Sequence, residues 1–285
     1  MALKDRVVIS SLRVLPQHAM SHFAGVVAGM RPPKAVATLA VKAFGRTFGV
    51  DFDEVKAPLD SFPSVQSFFT RELKEGARPI DPAADSVVSP CDGAWGACGL
   101  IENDTAFQLK GRSYSVRMLL HDDEQAGLFD GGTFATLYLS PKDYHRFHTP
   151  VAGDVMGLRY IPGALWPVNA AGLSYVDGLF TRNERIVAWY RPKARAQSLV
   201  AMVAVGATMV GKVRVAFDDL TTNVRAPEST VRSYDPPIHL DKGAEWGRFE
   251  FGSTIVLLAT KGTWDLEAEE AGSPLRLGRR IGRLN

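Results

Sequence analysis

The chain has 285 residues, 46% of them hydrophobic and 22% charged, with a formal net charge of +2. That balance belongs to a folded protein and excludes a disordered chain or a small disulfide scaffold. Two cysteines, Cys91 and Cys98, are too few for a disulfide framework or a four-cysteine zinc site, and read as reduced, buried or half-buried thiols.

The charge is unevenly placed. In the first fifty residues Lys4, Arg6, Arg13, Arg31, Lys34, Lys42 and Arg46 stand against Asp5 alone, a local +6 that leaves −4 for the remainder. A basic, apolar front end on a mildly acidic body points to an anionic partner. A membrane surface comes ahead of nucleic acid, because these charges alternate with aliphatic residues rather than stacking aromatics. No run reaches the roughly 20 apolar residues that span a bilayer. Residues 199–210 come closest, but they are short and β-branched and read as a buried strand. The N-terminus also lacks the apolar run and small-residue cleavage site of a signal peptide. The expectation is a protein in the cytosol or on a membrane, not through one.

In chain order, the first elements are helical. Ala19, Met20, Phe23, Ala24 and Val27 share one helical face; Val36, Leu39, Ala40, Ala43, Phe44 and Phe48 share another, with Lys34 and Lys42 opposite. Pro16 and Arg31-Pro-Pro33 punctuate them. Such a pair either lies in the lipid headgroup region or packs on the domain behind it, and amphipathicity serves both. Five prolines between Pro58 and Pro90 then break up the chain. Beyond them, residues 134–139, 186–190, 199–205, 213–217 and 254–258 are short β-branched and aromatic runs that read as strands. Helices first and strands after predict an α+β protein with a mostly antiparallel β core. Residues 1–50 form the helical segment and 51–285 the β-rich domain.

Six histidines occur, and two of them sit in Ser140-Pro-Lys-Asp-Tyr-His-Arg-Phe-His-Thr-Pro150. His148 has the side chain that both takes and gives a proton near neutral pH. Asp143, His145 and His148 also suggest a metal cluster, although further ligands at a recognisable spacing are missing. A surface loop with incidental histidines is the third reading. Asp92-Gly93 has the composition of a turn. Gly252-Ser253-Thr254 reads as a bulge between two strand-like runs, without the glycines of the Gly-x-Ser-x-Gly elbow.

Taken together, the motifs resemble the phosphatidylserine decarboxylases over nearly the whole chain. The resemblance runs through Phe68-Phe-Thr-Arg-Glu-Leu-Lys-Glu-Gly-Ala-Arg-Pro-Ile80, Ser89-Pro-Cys-Asp-Gly93, Leu109-Lys-Gly-Arg-Ser-Tyr-Ser115 and Tyr144-His-Arg-Phe-His-Thr-Pro150. It continues through Tyr160-Ile-Pro-Gly163, Leu179-Phe-Thr-Arg-Asn-Glu-Arg185 and Val205-Gly-Ala-Thr-Met-Val-Gly211, and closes on Trp246-Gly-Arg-Phe-Glu-Phe-Gly-Ser-Thr254. Phe251 stands where the family usually has leucine, an exchange that keeps an apolar flank.

The resemblance implies a β core like a barrel-sandwich hybrid and a proenzyme that cuts itself between Gly252 and Ser253. Asp92, His148 and Ser253 would form the processing triad, in which a carboxylate orients the base that activates the serine. Attack of Ser253 on the Gly252 carbonyl turns the amide into an ester. Elimination and loss of ammonia then leave a pyruvoyl group, giving a β chain of residues 1–252 and an α chain that starts at former Ser253. The pyruvoyl cofactor would hold phosphatidylserine as a Schiff base and act as electron sink for loss of carbon dioxide, yielding phosphatidylethanolamine. His148 is the expected proton donor, His145 a support for substrate placement or the proton path, and Asp143 a brace for their loop.

No metal, nucleotide or nucleic acid is expected. The expected partners are phosphatidylserine and an anionic membrane surface, docked by residues from about 5 to 48. The expected assembly is a homodimer of α/β units, peripheral to the cytoplasmic face of the inner membrane. Arg276, Arg279, Arg280 and Arg283 in the tail add positive charge that faces either lipid or water.

Overall fold

A computed structural model of the chain describes residues 17–107, 113–208, 212–223, 228–250 and 254–285. Helices α1 (Gln17–Gly29), α2 (Lys34–Phe48) and α3 (Val65–Phe69) lead into a body built mainly of antiparallel strands, the α+β order expected. Its centre is an eight-stranded sheet. The order is β11 (Thr230–Leu240), β7 (Gly153–Ile161), β8 (Arg185–Pro192), β9 (Val200–Val205), β13 (Thr254–Ala259), β5 (Thr133–Tyr138), β2 (Gly93–Leu100) and β15 (Pro274–Leu275). The order is open, with β11 and β15 as its edges, and the described residues close no barrel.

The middle strands are apolar on both faces. Along β9, Val200, Met202 and Ala204 enter one core, while Ala201, Val203 and Val205 enter the other. Along β13, Ile255 and Leu257 alternate with Val256 and Leu258 in the same way. Successive side chains of a strand point to opposite faces, so a doubly covered strand reads as an unbroken apolar run. This explains why these segments were legible as strands without any alternation.

Two three-stranded sheets cover one face. They are β1 (Ser86–Val88), β16 (Arg280–Leu284) and β14 (Trp264–Leu266), and β10 (Val213–Val215), β12 (Glu245–Phe249) and β6 (Arg146–His148). Phe147, Trp246, Phe249 and Trp264 fill the space between them and the large sheet. The other face is covered by α4 (Val116–Leu120), α5 (Asp123–Gly127), α6 (Ala170–Tyr175) and α7 (Leu179–Arg182) over Phe129, Phe134 and Phe180. The result is a β sandwich with a helical outer layer.

Helix α2 packs inward through buried Ala37, Val41 and Gly45 and half-buried Phe44, whose ring meets those of Phe68 and Phe69. A Cβ on Gly45 would stand 2.2 Å from Cε1 of Phe52, so only glycine lets that ring close on the helix. Leu39 is left 69% exposed and Phe23 of α1 70% exposed, beside exposed Val26, Val27, Met30 and Val36. Among the described residues, no helix is long and apolar enough to cross a membrane. Cys91 is buried and Cys98 half-buried, and both are free thiols.

The C-terminal tail is neither loose nor available as a basic arm. It forms β16, and its arginines are paired: Arg276 with Glu54 at 2.6 Å, Arg280 with Glu267 at 2.9 Å and Arg283 with Asp85 at 2.7 Å, with Arg279 at 3.8 Å from Glu269.

Gly93 opens β2 with φ at +145°, and a Cβ there would lie 2.1 Å from the carbonyl oxygen of Tyr138 on β5. Overpacking of this kind costs about 1–3 kcal/mol, and the backbone conformation adds strain. Gly93→Ala, placed in a Ser253→Ala chain to exclude cleavage, is expected to lower the unfolding free energy by that amount, read as a lower urea midpoint at unchanged slope.

Candidate active site

The segment 89–93 leaves β1 and turns into β2, and its turn is held from several directions. Ser89 Oγ donates to the Cys91 carbonyl at 2.7 Å. The Asp92 carboxylate is 6% exposed, and a carboxylate buried that far must be paired. Its oxygens accept from Arg78 Nε at 2.8 and 3.0 Å, and Oδ1 also accepts the Leu277 backbone N–H at 2.9 Å. Arg78 Nη2 reaches Glu54 at 2.8 Å, and Glu54 in turn meets Arg276. Burial works against the Arg78 charge, but the bonds to Asp92 and Glu54 outweigh it and hold its pKa above the usual arginine value. The Arg78 hydrogen bond correspondingly holds Glu54 below the usual carboxylate range.

The loop from Ser140 to Tyr144 delivers the two histidines to β6. Asp143 braces it, accepting from both N and Oγ of Ser140 at 2.7 Å. Its burial raises its pKa. Arg71, also buried, donates through Nη2 to the carbonyls of Lys142 at 2.9 Å and Asp143 at 3.1 Å. Burial pulls the Arg71 pKa down to about 10, which leaves it charged at neutral pH.

His145 is fully buried, with its ring centroid 3.8 Å from that of Phe69. Its Nδ1 stands 2.8 Å from the Asp143 carbonyl oxygen, which accepts only from an N–H. The ring therefore carries its proton on Nδ1 and a lone pair on Nε2, and that Nε2 is buried with no partner among the described residues. Burial pulls its pKa to about 3; the carbonyl bond offsets this only in part, and the Arg71 charge lowers it further. At neutral pH His145 is an acceptor without charge, not an acid.

His148 repeats the arrangement. Its Nδ1 lies 2.9 Å from the Gly243 carbonyl oxygen, its Nε2 is buried without a partner among the described residues, and Tyr144 stacks on it at 5.8 Å. Burial lowers its pKa, against the Gly243 bond. Its backbone N–H donates to Pro90 at 2.7 Å, so β6 and the Asp92 turn meet at one corner. The side chains do not pair as expected: Asp92 is taken by Arg78 and Leu277, and the carbonyl of Gly243 fixes the His148 tautomer.

Gly252 and Ser253 lie outside the described residues, as do Phe251 and parts of two matched motifs, residues 109–112 and 209–211. Their chain neighbours are described. Strand β12 pairs with β6, and the N–H of Phe249 reaches the His145 carbonyl at 2.9 Å. Glu250 is tied to Gln66 at 2.8 Å and to Arg214 at 2.5 Å. Thr254 opens β13 opposite Tyr138, whose other neighbour in the sheet is Ala94 of β2. Beside Thr254 lies a mainly apolar cavity of about 310 Å³, bordered by Gly96, Thr136, Tyr138 and Phe180. A more polar cleft of about 340 Å³ opens beside His148, Arg146 and Glu245.

Reasoning from sequence passed over Arg71, Arg78 and Gly243. The two arginines lie inside the matched run 68–80, which was a signal available for them. Gly243 acts through its carbonyl, which no side-chain pattern reveals. Among the described residues, no group of three His, Cys, Asp or Glu has the arrangement of a metal site.

The phosphatidylserine decarboxylase family model matches residues 65–283. The chain is 42% identical over 283 residues to the phosphatidylserine decarboxylase proenzyme of Anaeromyxobacter sp. (strain K), covering 98% of this chain and 99% of that one. It is 39% identical over 282 residues to the proenzyme of the same name from Myxococcus xanthus (strain DK1622), covering 98% and 99%. With the one from Stutzerimonas stutzeri (strain A1501) it shares 42% identity over 292 residues, covering 99% and 95%. The chain belongs to the phosphatidylserine decarboxylase family.

A neutral histidine buried in the folded state takes up no proton until about pH 3, whereas in the unfolded chain it is protonated below about 6.5. The unfolded state therefore binds more protons as pH falls through 6.5, and stability drops by up to about 1.4 kcal/mol per pH unit for each such histidine. Urea unfolding of the Ser253→Ala chain between pH 6.5 and 5, above the carboxylate range, is expected to show that decline. His145→Asn is expected to remove one histidine's share of the slope.

Proposed function

We propose that the chain is a phosphatidylserine decarboxylase made as a self-cleaving precursor, cut between Gly252 and Ser253 and carrying a pyruvoyl group at former Ser253. One observation carries the reading beyond family membership. The strand bearing His148 is hydrogen-bonded to the strand that runs into residues 251–253, and His148 holds a buried lone pair on Nε2 in a fixed tautomer. A neutral imidazole so fixed is suited to take the hydroxyl proton of a serine, which is a poor nucleophile until then. Gly252 offers no side chain to obstruct attack on its carbonyl. Asp92 contributes its charge at the same corner, in a position braced by Arg78.

The surroundings fit a pyruvoyl group at 253. Thr254 Oγ1 is buried without a partner among the described residues, a polar atom suited to a neighbouring carbonyl oxygen, and the adjoining cavity leaves room for a substrate. When present, that group supplies the electron sink for loss of carbon dioxide. His148 is the candidate to return a proton to the substrate. His145, uncharged at working pH, accepts a hydrogen bond and positions the head group. The products are phosphatidylethanolamine and carbon dioxide.

Residues 1–50 are proposed as the membrane-docking segment and 51–285 as the catalytic domain. Supporting this, the apolar faces of α1 and α2 are turned outward, with Phe23 and Leu39 about two-thirds exposed. Such faces suit the headgroup boundary of an anionic membrane, here the cytoplasmic face of the inner membrane. By resemblance, the assembled unit is a homodimer of α/β pairs.

Intact mass under denaturing conditions tests the processing. The wild type is expected to give two chains, 1–252 and 253–285, the smaller lighter by one ammonia than a serine-initiated chain. Ser253→Ala is expected to stay whole, and His148→Ala to cut about 10²-fold more slowly or not at all. An uncut wild type, or a cut Ser253→Ala chain, would contradict the proposal. Docking has its own test in vesicle pelleting. Phe23→Ser with Leu39→Ser is expected to weaken binding to anionic vesicles by about a hundred-fold or more, since each substitution removes about 1.5–3 kcal/mol of burial.

A further inference from the structure

A third cavity, larger than either at the candidate active site at about 790 Å³, opens at the other end of β13. It is bounded by α5, β7, β8, β11 and the turn 260–262. From Thr254 to Thr260 the strand runs six residues, about 20 Å at strand rise, so the cavity is remote from residue 253.

Its lining is one-sided in charge. Arg159, Arg191, Arg195, Arg232 and Lys261 face a single carboxylate, Asp122. Two of the five are already neutralised: Arg159 by Asp122 at 2.7 Å, and Arg232 by Asp219 at 2.7 Å. Arg191, Arg195 and Lys261 have no acidic partner among the described residues.

Unmet hydrogen-bonding capacity points the same way. Three residues that line this cavity, Arg159, Arg195 and Trp189, each hold a buried N–H behind its wall, at Nε, Nε and Nε1, with no acceptor among the described residues. All three are groups that can only donate. Leaving buried donors unmet costs free energy, and the cavity's lining side chains leave no buried acceptor unmet to balance them. Trp189 is itself only 8% exposed, and the Arg159 guanidinium sits 5.4 Å from its ring centroid, so the donors are held in place before any ligand arrives. Three cations without an acidic partner among the described residues, on one cavity wall, call for a ligand rich in acceptor oxygens and carrying more than one negative charge.

We propose that this cavity binds a phosphate-bearing anion, and that the anion comes from solution rather than from the bilayer. Helix α1 is anchored at the Thr254 end of the sheet, where Gln17 accepts the Leu165 N–H at 2.9 Å, and α3 is anchored there through Gln66 and Glu250. The exposed apolar faces of α1 and α2 therefore lie toward the candidate active site, with the basic cavity at the opposite end of β13. If those helices dock on a membrane as proposed above, on which this choice of source rests, a lipid phosphate there is out of the cavity's reach. The site is separate from decarboxylation and does not depend on it.

The test is calorimetric titration of the wild-type protein, as purified after cleavage, with pyrophosphate and with inorganic phosphate at low salt. Saturable one-to-one binding is expected, absent with sodium chloride at matched ionic strength. Arg195→Gln with Lys261→Gln is expected to weaken it about ten-fold or more, and Arg191→Gln alone in the same direction but less. Among the described residues none of the three side chains holds an ion pair, and unliganded melting curves matching wild type would establish that the variants fold. No saturable binding, or equal affinity in the folded variants, would overturn the site. A second arm uses vesicles of phosphatidylcholine with and without phosphatidic acid. Capture that depends on Arg195 and Lys261 without any pyrophosphate binding would overturn the assignment to a soluble anion.

Discussion

The contact between Arg78 and Asp92 joins parts of the chain that lie far apart in sequence. Through Asp92 it fixes the turn into β2 and the backbone at Leu277; through Glu54 it reaches Arg276 and the segment that follows α2. Both partners are close to fully buried, at 12% and 8% side-chain exposure. Removing one member of a buried pair costs about 3–5 kcal/mol, because the other is left charged and unmet. A surface pair such as Lys56 with Glu72 contributes far less. The corner where Asp92, β6 and the cleft beside His148 meet thus rests on one strong interaction rather than on the sum of many surface ones.

From that corner follows a division of labour between the histidines. Each gives its Nδ1 proton to a backbone carbonyl and keeps a lone pair on Nε2. Depth of burial separates them. His145 lies against Phe69 and near the Arg71 charge and stays neutral throughout the ordinary pH range. His148 sits beside an open polar cleft, with Glu245 and Asp92 favouring its charged form. A group that must take and return a proton suits the second place better than the first. The carboxylate that an Asp–His pairing would require is occupied with an arginine, and a carbonyl orients His148 instead.

Much of the scaffold was legible in the sequence. The runs 199–205 and 254–258 announced themselves as strands because both faces are buried, and α1 and α2 by their period. What could not be read was direction. The apolar stripe of α2 was plain, but Ala37, Val41 and Gly45 are the buried positions and Phe44 alone of its large residues packs inward, leaving Val36, Leu39 and Phe48 exposed. Strand β11 escaped notice because it is an exposed edge broken by Pro236 and Pro237. The charge of the C-terminal arginines was countable, yet their acidic partners came from Glu54, Asp85, Glu267 and Glu269. Asp92, His145 and His148 were found through motifs; the carbonyls that set the tautomers, and the arginines that hold the turn and loop, belong to the folded chain.

A protein of this family and architecture removes the carboxyl group of phosphatidylserine. The direct measurement is release of carbon dioxide by the fully cleaved wild-type protein from vesicles of carboxyl-labelled phosphatidylserine, with the lipid product quantified alongside. The account predicts labelled carbon dioxide and phosphatidylethanolamine in equal amounts. Intact lipid after exposure to a protein whose chains have been cut at 252/253 would contradict it.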